Sequence, residues 1–315
     1  MSSEKEGRTS LVIGTRGSQL AIWQAEWVQT RLQELAPHLS IRLERIQTSG
    51  DKFLDVPLAK IGGKALFVKE IEEALLREDI DLAVHSMKDV PSVLPKGLAI
   101  HCVPQREDPR DALLSRDDLL FRDLPVSAKV GTSSLRRQAQ FLARRPDFTI
   151  RMLRGNLDTR VRKLREGQFD AIVLAASGLK RLGWNDQISE CLPAEVSLPA
   201  VGQGALGIEG REEDIFIQNL LAPLNDPVSS SAVSAERAFL TRLEGGCQVP
   251  IAGYATVHGP ELTLNGLVAS IDGRQIIRDE IRGLVDQAES LGVALAERLL
   301  DAGGDKILEE IYGRA

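Results

Sequence analysis

The sequence predicts an α/β protein whose last third is a smaller α+β unit. Three observations lead there. Over the first two-thirds of the 315 residues, short apolar runs alternate with helix-period patterns. The same plan starts again near residue 110, and the pattern changes after Pro223. At roughly 100–200 residues per domain, this length holds two or three domains.

The first strand is predicted over Ser10 to Gly14, ending in Thr15-Arg16-Gly17-Ser18. A helix comes next, with an apolar stripe on Leu20, Trp23, Trp27, Val28, Leu32 and Leu35. A second strand, Ile41 to Gln47, precedes the Gly62-Gly63 turn and a helix with Phe67, Ile71, Ala74 and Leu75 on one side. Asp81 to His85 reads as a buried strand that delivers Ser86-Met87-Lys88-Asp89 to its C-terminal end. In the second round, Lys129-Val130-Gly131 is a strand and Thr132-Ser133-Ser134 an N-cap cluster. The helix after it carries Leu135, Ala139 and Leu142. Ile150 to Leu153 is the next strand, Arg154-Gly155-Asn156 a turn, and Leu157, Val161 and Leu164 mark another helix. Phe169 to Ala176 has the continuous apolar character of a parallel strand buried on both faces. Pro199 to Gly204 reads as a crossover. Beyond it come a helix over Ser229 to Leu243, the turn Gly245-Gly246-Cys247, strands at Ile251–Val257, Leu262–Ala269 and Gln275–Ile281, and a last helix along Leu284 to Leu299.

Composition narrows the function. With 43% hydrophobic and 27% charged residues, the chain suits a well-buried core. Its longest apolar run, Ala171 to Ala176, falls far short of the ~20 residues that span a bilayer. The polar start MSSEKEGRTS reads as a frayed tail, without the apolar stretch of a secretory signal. Cys102, Cys191 and Cys247 make no disulfide framework, which fits a reducing compartment, and neither they nor the four histidines show zinc-ligand spacing. No metal site is expected. A net charge of −6 argues against nonspecific binding to nucleic acid or anionic membrane. Between Arg136 and Arg165, however, nine arginines and Lys163 face only Asp147 and Asp158, a local charge of +8. Such a segment in an acidic protein points to a polyanionic partner, the plain alternative being a solvated helix face.

Three kinds of residue carry candidate chemistry. Turns at strand ends (Thr15 to Ser18, Thr132 to Ser134, Arg154 to Asn156) offer helix N-termini and guanidinium forks to an anion. No Walker loop or dinucleotide fingerprint accompanies them, so carboxylates fit better than phosphates. Asp89 comes directly after a buried strand, where a carboxylate can stabilise a developing cation and shuttle a proton; capping the turn before Pro91 is its structural alternative. Cys247 sits in a glycine turn that leaves room for a bulky adduct on a nucleophilic thiol, whereas Cys102 and Cys191 fit better as small core residues.

Seven blocks, PLAKIGGKALFVKEIEEALL (57–76), DLAVHSMKDVP (81–91), REDPRDA (106–112), VGTSSLRRQ (130–138), RMLRGNLDTR (151–160), SLPAVGQGALGIE (197–209) and RLEGGCQVPIAGYA (242–255), together resemble the porphobilinogen deaminase family over nearly the whole chain. The resemblance implies two periplasmic-binding-protein-like α/β domains, residues 1–104 with 200–222 and residues 105–199, plus an α+β cofactor-carrying domain at 223–315. It implies a dipyrromethane primer held by a thioether to Cys247, on which four porphobilinogen molecules condense head to tail with loss of ammonia. Hydrolysis then releases hydroxymethylbilane. Asp89 matches the catalytic aspartate. Cofactor-binding positions match Lys88, Thr132, Ser134, Arg136, Arg137 and Arg154; substrate-binding positions match Arg16, Ser18, Gln24, Lys60, Lys64, Phe67, Arg160, Arg181 and Gln203. A cytoplasmic monomer, without nucleic acid or membrane, goes with the family. Two other classes remain to be weighed: a two-lobed solute-binding protein, which needs neither Cys247 nor the third domain, and an RNA-binding protein, for which only Phe141 and Phe148 interleave with the arginines.

Overall fold

The computed structural model describes residues 8–52, 68–244 and 249–313. Cys247, Lys60, Lys64 and Phe67 therefore lie outside the described residues. The described chain divides into two compact units, one made of 8–52, 68–106 and 205–230, the other of 107–204, 231–244 and 249–313.

The first unit is built on a five-stranded sheet. β1 (Ser10–Thr15) runs parallel to β2 (Ser40–Arg45) and to β3 (Leu82–Ser86). β10 (Leu206–Arg211) returns antiparallel between β3 and β4 (Leu98–Cys102), giving the order β2-β1-β3-β10-β4. Apolar side chains cover both faces. Leu11, Ile13, Leu82, Val84 and Ile208 pack with Val28 and Leu32 of α1 (Gln19–Leu35), while Ala83 and Leu98 pack with Ile71 and Leu75 of α2 (Lys69–Leu76). The buried face of α1 is Gln24, Ala25, Val28 and Leu32; Leu35, expected on the stripe, is 47% exposed. Gln24 takes a core position because its carboxamide has a partner, the Ser86 hydroxyl at 3.0 Å.

The second unit repeats the plan. β6 (Lys129–Gly131) is parallel to β7 (Thr149–Arg151) and β8 (Ala171–Ala175), and β5 (Asp111–Ser115) runs antiparallel between β8 and β9 (Glu190–Leu192). The order is β7-β6-β8-β5-β9. β8, expected in a purely parallel setting, thus has one neighbour of each kind. α3 (Leu135–Arg144) and α4 (Leu157–Arg165) come after β6 and β7. In each unit the antiparallel strand comes from the far side of a crossover: β10 from after residue 204 in the first, β5 from after residue 106 in the second.

The same unit holds the predicted α+β part. β11 (Ile251–His258), β12 (Glu261–Ala269) and β13 (Ile276–Leu284) form an antiparallel sheet. Phe239 of the helix Pro227–Arg242 packs with Leu264, Leu291, Leu295 and Leu299 against it. Gly266 has to be glycine, since a Cβ there would stand 2.7 Å from the Phe239 ring. A second cluster, Ala139, Leu198, Ala252, Leu267 and Ala269, joins this sheet to α3. Glu236, fully buried, accepts the backbone N–H of Ala255 at 2.8 Å and of Gly202 at 2.7 Å, which fixes the crossover to the same core.

Under β3 lies an acidic cluster. Glu209 on β10 meets His85 Nε2 at 2.8 Å, and Glu72 of α2 is buried nearby, with one oxygen of each carboxylate lacking a hydrogen-bond partner among the described residues. Burial, then the charge of Glu209, raises the Glu72 pKa from 4.5 to about 7, against the opposing effect of His85. Folding therefore takes up a proton on Glu72 between these values. Its contribution to stability is complete below pH 4.5 and is lost as pH rises through about 7. Glu72→Gln keeps the shape of the neutral acid and cannot ionise. Between about pH 5 and about pH 8, across the window in which the proton is lost, the melting temperature should fall less for this variant than for the parent. Equal falls would show that Glu72 does not titrate here.

Candidate active site

β1 and β3 are parallel neighbours, in register at Ile13 and Leu82, so the turns after the two strands emerge at the same end of the sheet. After β1 come Arg16, half-buried, and Ser18. The Ser18 hydroxyl accepts the Ala21 N–H at 3.3 Å and so caps α1. After β3 comes a single 3₁₀ turn, Met87–Asp89. Ser86 before it is bonded to Gln24, and Met87 is 2% exposed, with its N–H on the Ala205 carbonyl at 3.0 Å. Gly207 on β10 leaves room for the Met87 methyl, which would lie 2.6 Å from a Cβ. Held on both sides, the turn presents Lys88 and Asp89, each half-buried. Arg16, Ser18, Gln24, Lys88 and Asp89 thus share one end of the first unit.

The second unit gathers its own set. β6 and β7 pair Gly131 with Arg151, so Thr132 and Arg154 leave adjacent parallel strands at one end. Two of the three hydroxyls in the cap cluster accept backbone N–H groups: Thr132 that of Ser134 at 3.1 Å, and Ser134 that of Arg137 at 3.4 Å. Gly155 (φ +109°) makes the turn into α4, and its carbonyl accepts Arg160 Nε at 2.7 Å. Arg154 Nε is buried and has no hydrogen-bond partner among the described residues, and burial lowers its pKa. A buried guanidinium donor without an acceptor is costly. A carboxylate of a ligand would satisfy it, so these residues fit a polyacidic group. Arg181 donates to the Gly204 carbonyl at 2.7 Å, and burial takes its pKa down to about 10 against the pull of Glu107.

Arg136 and Arg137, expected to hold ligand carboxylates, are almost wholly buried and hold an internal one. Arg136 donates to Asp111 Oδ2 at 2.8 Å and Oδ1 at 3.1 Å; Arg137 reaches Oδ1 through Nε at 3.0 Å and NH2 at 2.7 Å. The Ser197 hydroxyl at 2.6 Å and the Gln203 carboxamide at 2.9 Å complete the shell. Burial works against charge on Asp111, yet the two guanidiniums outweigh it and keep its carboxyl far below the usual range. Sequence reasoning missed Asp111. Its signal was a charged residue opening the apolar run Asp111-Ala112-Leu113-Leu114, which demands a buried counter-ion.

Of the two described thiols, expected as small core residues, Cys102 is buried and Cys191 only half-buried. Cys102 is 1% exposed and burial pushes its pKa up to about 12; burial raises that of Cys191 as well. Among the described residues no group of histidine, cysteine and carboxylate could hold a metal, and no helix is long and apolar enough to cross a membrane.

Comparison with known proteins gives these two sets of residues a family. The family model described as porphobilinogen deaminase, dipyromethane cofactor binding domain, matches residues 11–219, and that of the porphobilinogen deaminase C-terminal domain matches 231–301. Porphobilinogen deaminase of Geobacter metallireducens is 57% identical over 304 residues, 96% of this chain and 95% of that one. The Syntrophotalea carbinolica enzyme of the same name is 60% identical over 300 residues, 95% of each. Among solved structures, the periplasmic aliphatic sulphonate binding protein SsuA from Escherichia coli aligns at 15% identity and a TM-score of 0.41, over 75% of this chain and 70% of that one. With both family domains matched in order and relatives of this identity along nearly its whole length, the chain belongs to the porphobilinogen deaminase family.

Proposed function

We propose that this chain condenses four porphobilinogen molecules head to tail on a dipyrromethane primer bonded to Cys247, with Asp89 as the catalytic carboxylate, and releases hydroxymethylbilane by hydrolysis. The observation that carries the reading is the Lys88–Asp89 turn, held at the end of buried β3 within a chain that matches both family domains. Bound, the primer supplies the nucleophilic α-carbon of its terminal pyrrole.

The roles of the residues come from their chemistry. When the nitrogen of the substrate's aminomethyl group departs as ammonia and its methylene carbon stays on the ring, positive charge develops on the pyrrole, and the Asp89 carboxylate stabilises it. Once the new carbon–carbon bond has formed, Asp89 accepts the α-proton whose loss restores aromaticity. Each pyrrole unit brings an acetate and a propionate. Arg16, Lys88, Arg154, Arg160 and Arg181 take these carboxylates, helped by Ser18, Thr132 and Ser134. Gln24 and Gln203 hold neighbouring groups in place, and Arg136 and Arg137 add positive potential. Lys60, Lys64 and Phe67, which match substrate-binding positions of the family, help to hold the substrate. The C-terminal α+β part, residues 223–315, carries the primer as a third domain, and the protein works as a cytoplasmic monomer.

Three outcomes test this. Expressed in a host that makes the primer, the denatured chain should exceed its sequence mass by two linked pyrrole units. Cys247→Ala should lack the adduct and turnover while Cys102→Ala keeps both; the reverse pattern would place the attachment elsewhere. Asp89→Asn should carry the adduct yet form product about 10²-fold slower or worse. A normal rate in single-turnover assays would remove Asp89 from the chemistry.

A further inference from the structure

We propose that Asp111 is a positioning residue for the polyacid site: it holds Arg136, Arg137 and Gln203 as one preorganised cationic block whose potential acts on the carboxylates of the primer and growing chain. The inference rests on the function proposed above and adds a residue to it.

Asp111 opens β5 and is 0% exposed, Arg136 and Arg137 are 4% and 6% exposed, and both guanidiniums share this one carboxylate. Among the described residues no second carboxylate pairs with either arginine. Two cations and one anion leave a net charge of +1 in a place nearly without water. A cluster serving stability alone does better neutral, because an uncompensated buried charge loses its hydration and gains nothing in return. An excess buried cation is what a site preorganised for an anion requires. The pair lies in the first turn of α3, where the positive end of the helix dipole adds to the potential, next to the Thr132–Ser134 cap.

Asp111 also sets the position of the chain around the pair. Its Oδ2 accepts the Ser197 hydroxyl at 2.6 Å, its Oδ1 accepts Gln203 Nε2 at 2.9 Å, and Arg136 donates to the Leu198 carbonyl at 2.6 Å. One carboxylate therefore fixes three segments: β5, the start of α3, and the run from Ser197 to Gln203. Without it the arginines would repel each other and the run would lose two anchors.

The experiment compares the parent, Asp111→Asn and Ser197→Ala, each expressed in a primer-making host. It reads the intact mass of the denatured chains, the melting temperature, and KM against kcat for porphobilinogen. Asp111→Asn should melt lower and carry the two-pyrrole adduct on several-fold fewer chains than the parent. Ser197→Ala adds no buried charge; it should keep the adduct and raise KM several-fold at nearly unchanged kcat. A fully loaded Asp111→Asn chain would overturn the proposal. If Asp111→Asn does not fold, Ser197→Ala decides alone, and a parental KM overturns the proposal. A bare parent chain would instead sink the function itself, and this inference with it.

Discussion

The interaction on which the second unit depends is the buried carboxylate of Asp111 between two guanidiniums. Removing one partner of such a group typically costs about 3–5 kcal/mol, because the charge left behind remains desolvated. That is a large share of the ~5–15 kcal/mol by which a domain is stable. The group joins β5 to α3 and to the run that starts at Ser197. No hydrophobic contact specifies position so sharply, since apolar side chains slide past one another and a fork of N–H donors does not. The first unit has a counterpart. Its antiparallel strand, β10, carries Glu209, fully buried and bonded to His85 on β3. In both units the strand that arrives from a crossover brings a buried carboxylate and latches it onto the parallel part of the fold.

That shared device also explains what was legible in the sequence and what was not. The parallel strands and their helices announce themselves through apolar runs and 3.6-residue periods, so β1, β3, β6 and β8 were readable to within a residue or two. The strands β4, β5, β9 and β10 were not. β5 begins with a charge, and β10 reads Leu206-Gly207-Ile208-Glu209-Gly210-Arg211, a pattern of breakers and acids on its face. Its glycines exist because Met87 and His101 occupy the space a Cβ would need, and its glutamate because His85 waits opposite. Those partners lie far away in sequence, beyond the reach of local pattern. The same limit applies to α1, where Gln24 replaces an apolar residue on the buried face because Ser86, 62 positions on, supplies its hydrogen bond.

Charge counting marks the segment from 136 to 165, and the structure shows how its arginines are spent. The arginines between 136 and 165 do not form one surface. Arg136 and Arg137 are committed to Asp111, Arg145 to Asp147 and Arg162 to Glu166, while Arg165 bonds the Gln187 side chain. What distinguishes Arg154 is the lack of any acceptor for its buried Nε among the described residues, on a turn that Arg160 and Lys163 brace through the Gly155 and Arg154 carbonyls. A pair already bonded to an internal carboxylate lends a polyacid its residual charge and no new bond. An unmatched donor can give the bond itself, and it regains what burial took from it when a carboxylate arrives. On the function proposed above, the unmet donor of Arg154 suits it to grip a lengthening polyacid. The carboxylate of Asp111 holds the chain around it in place.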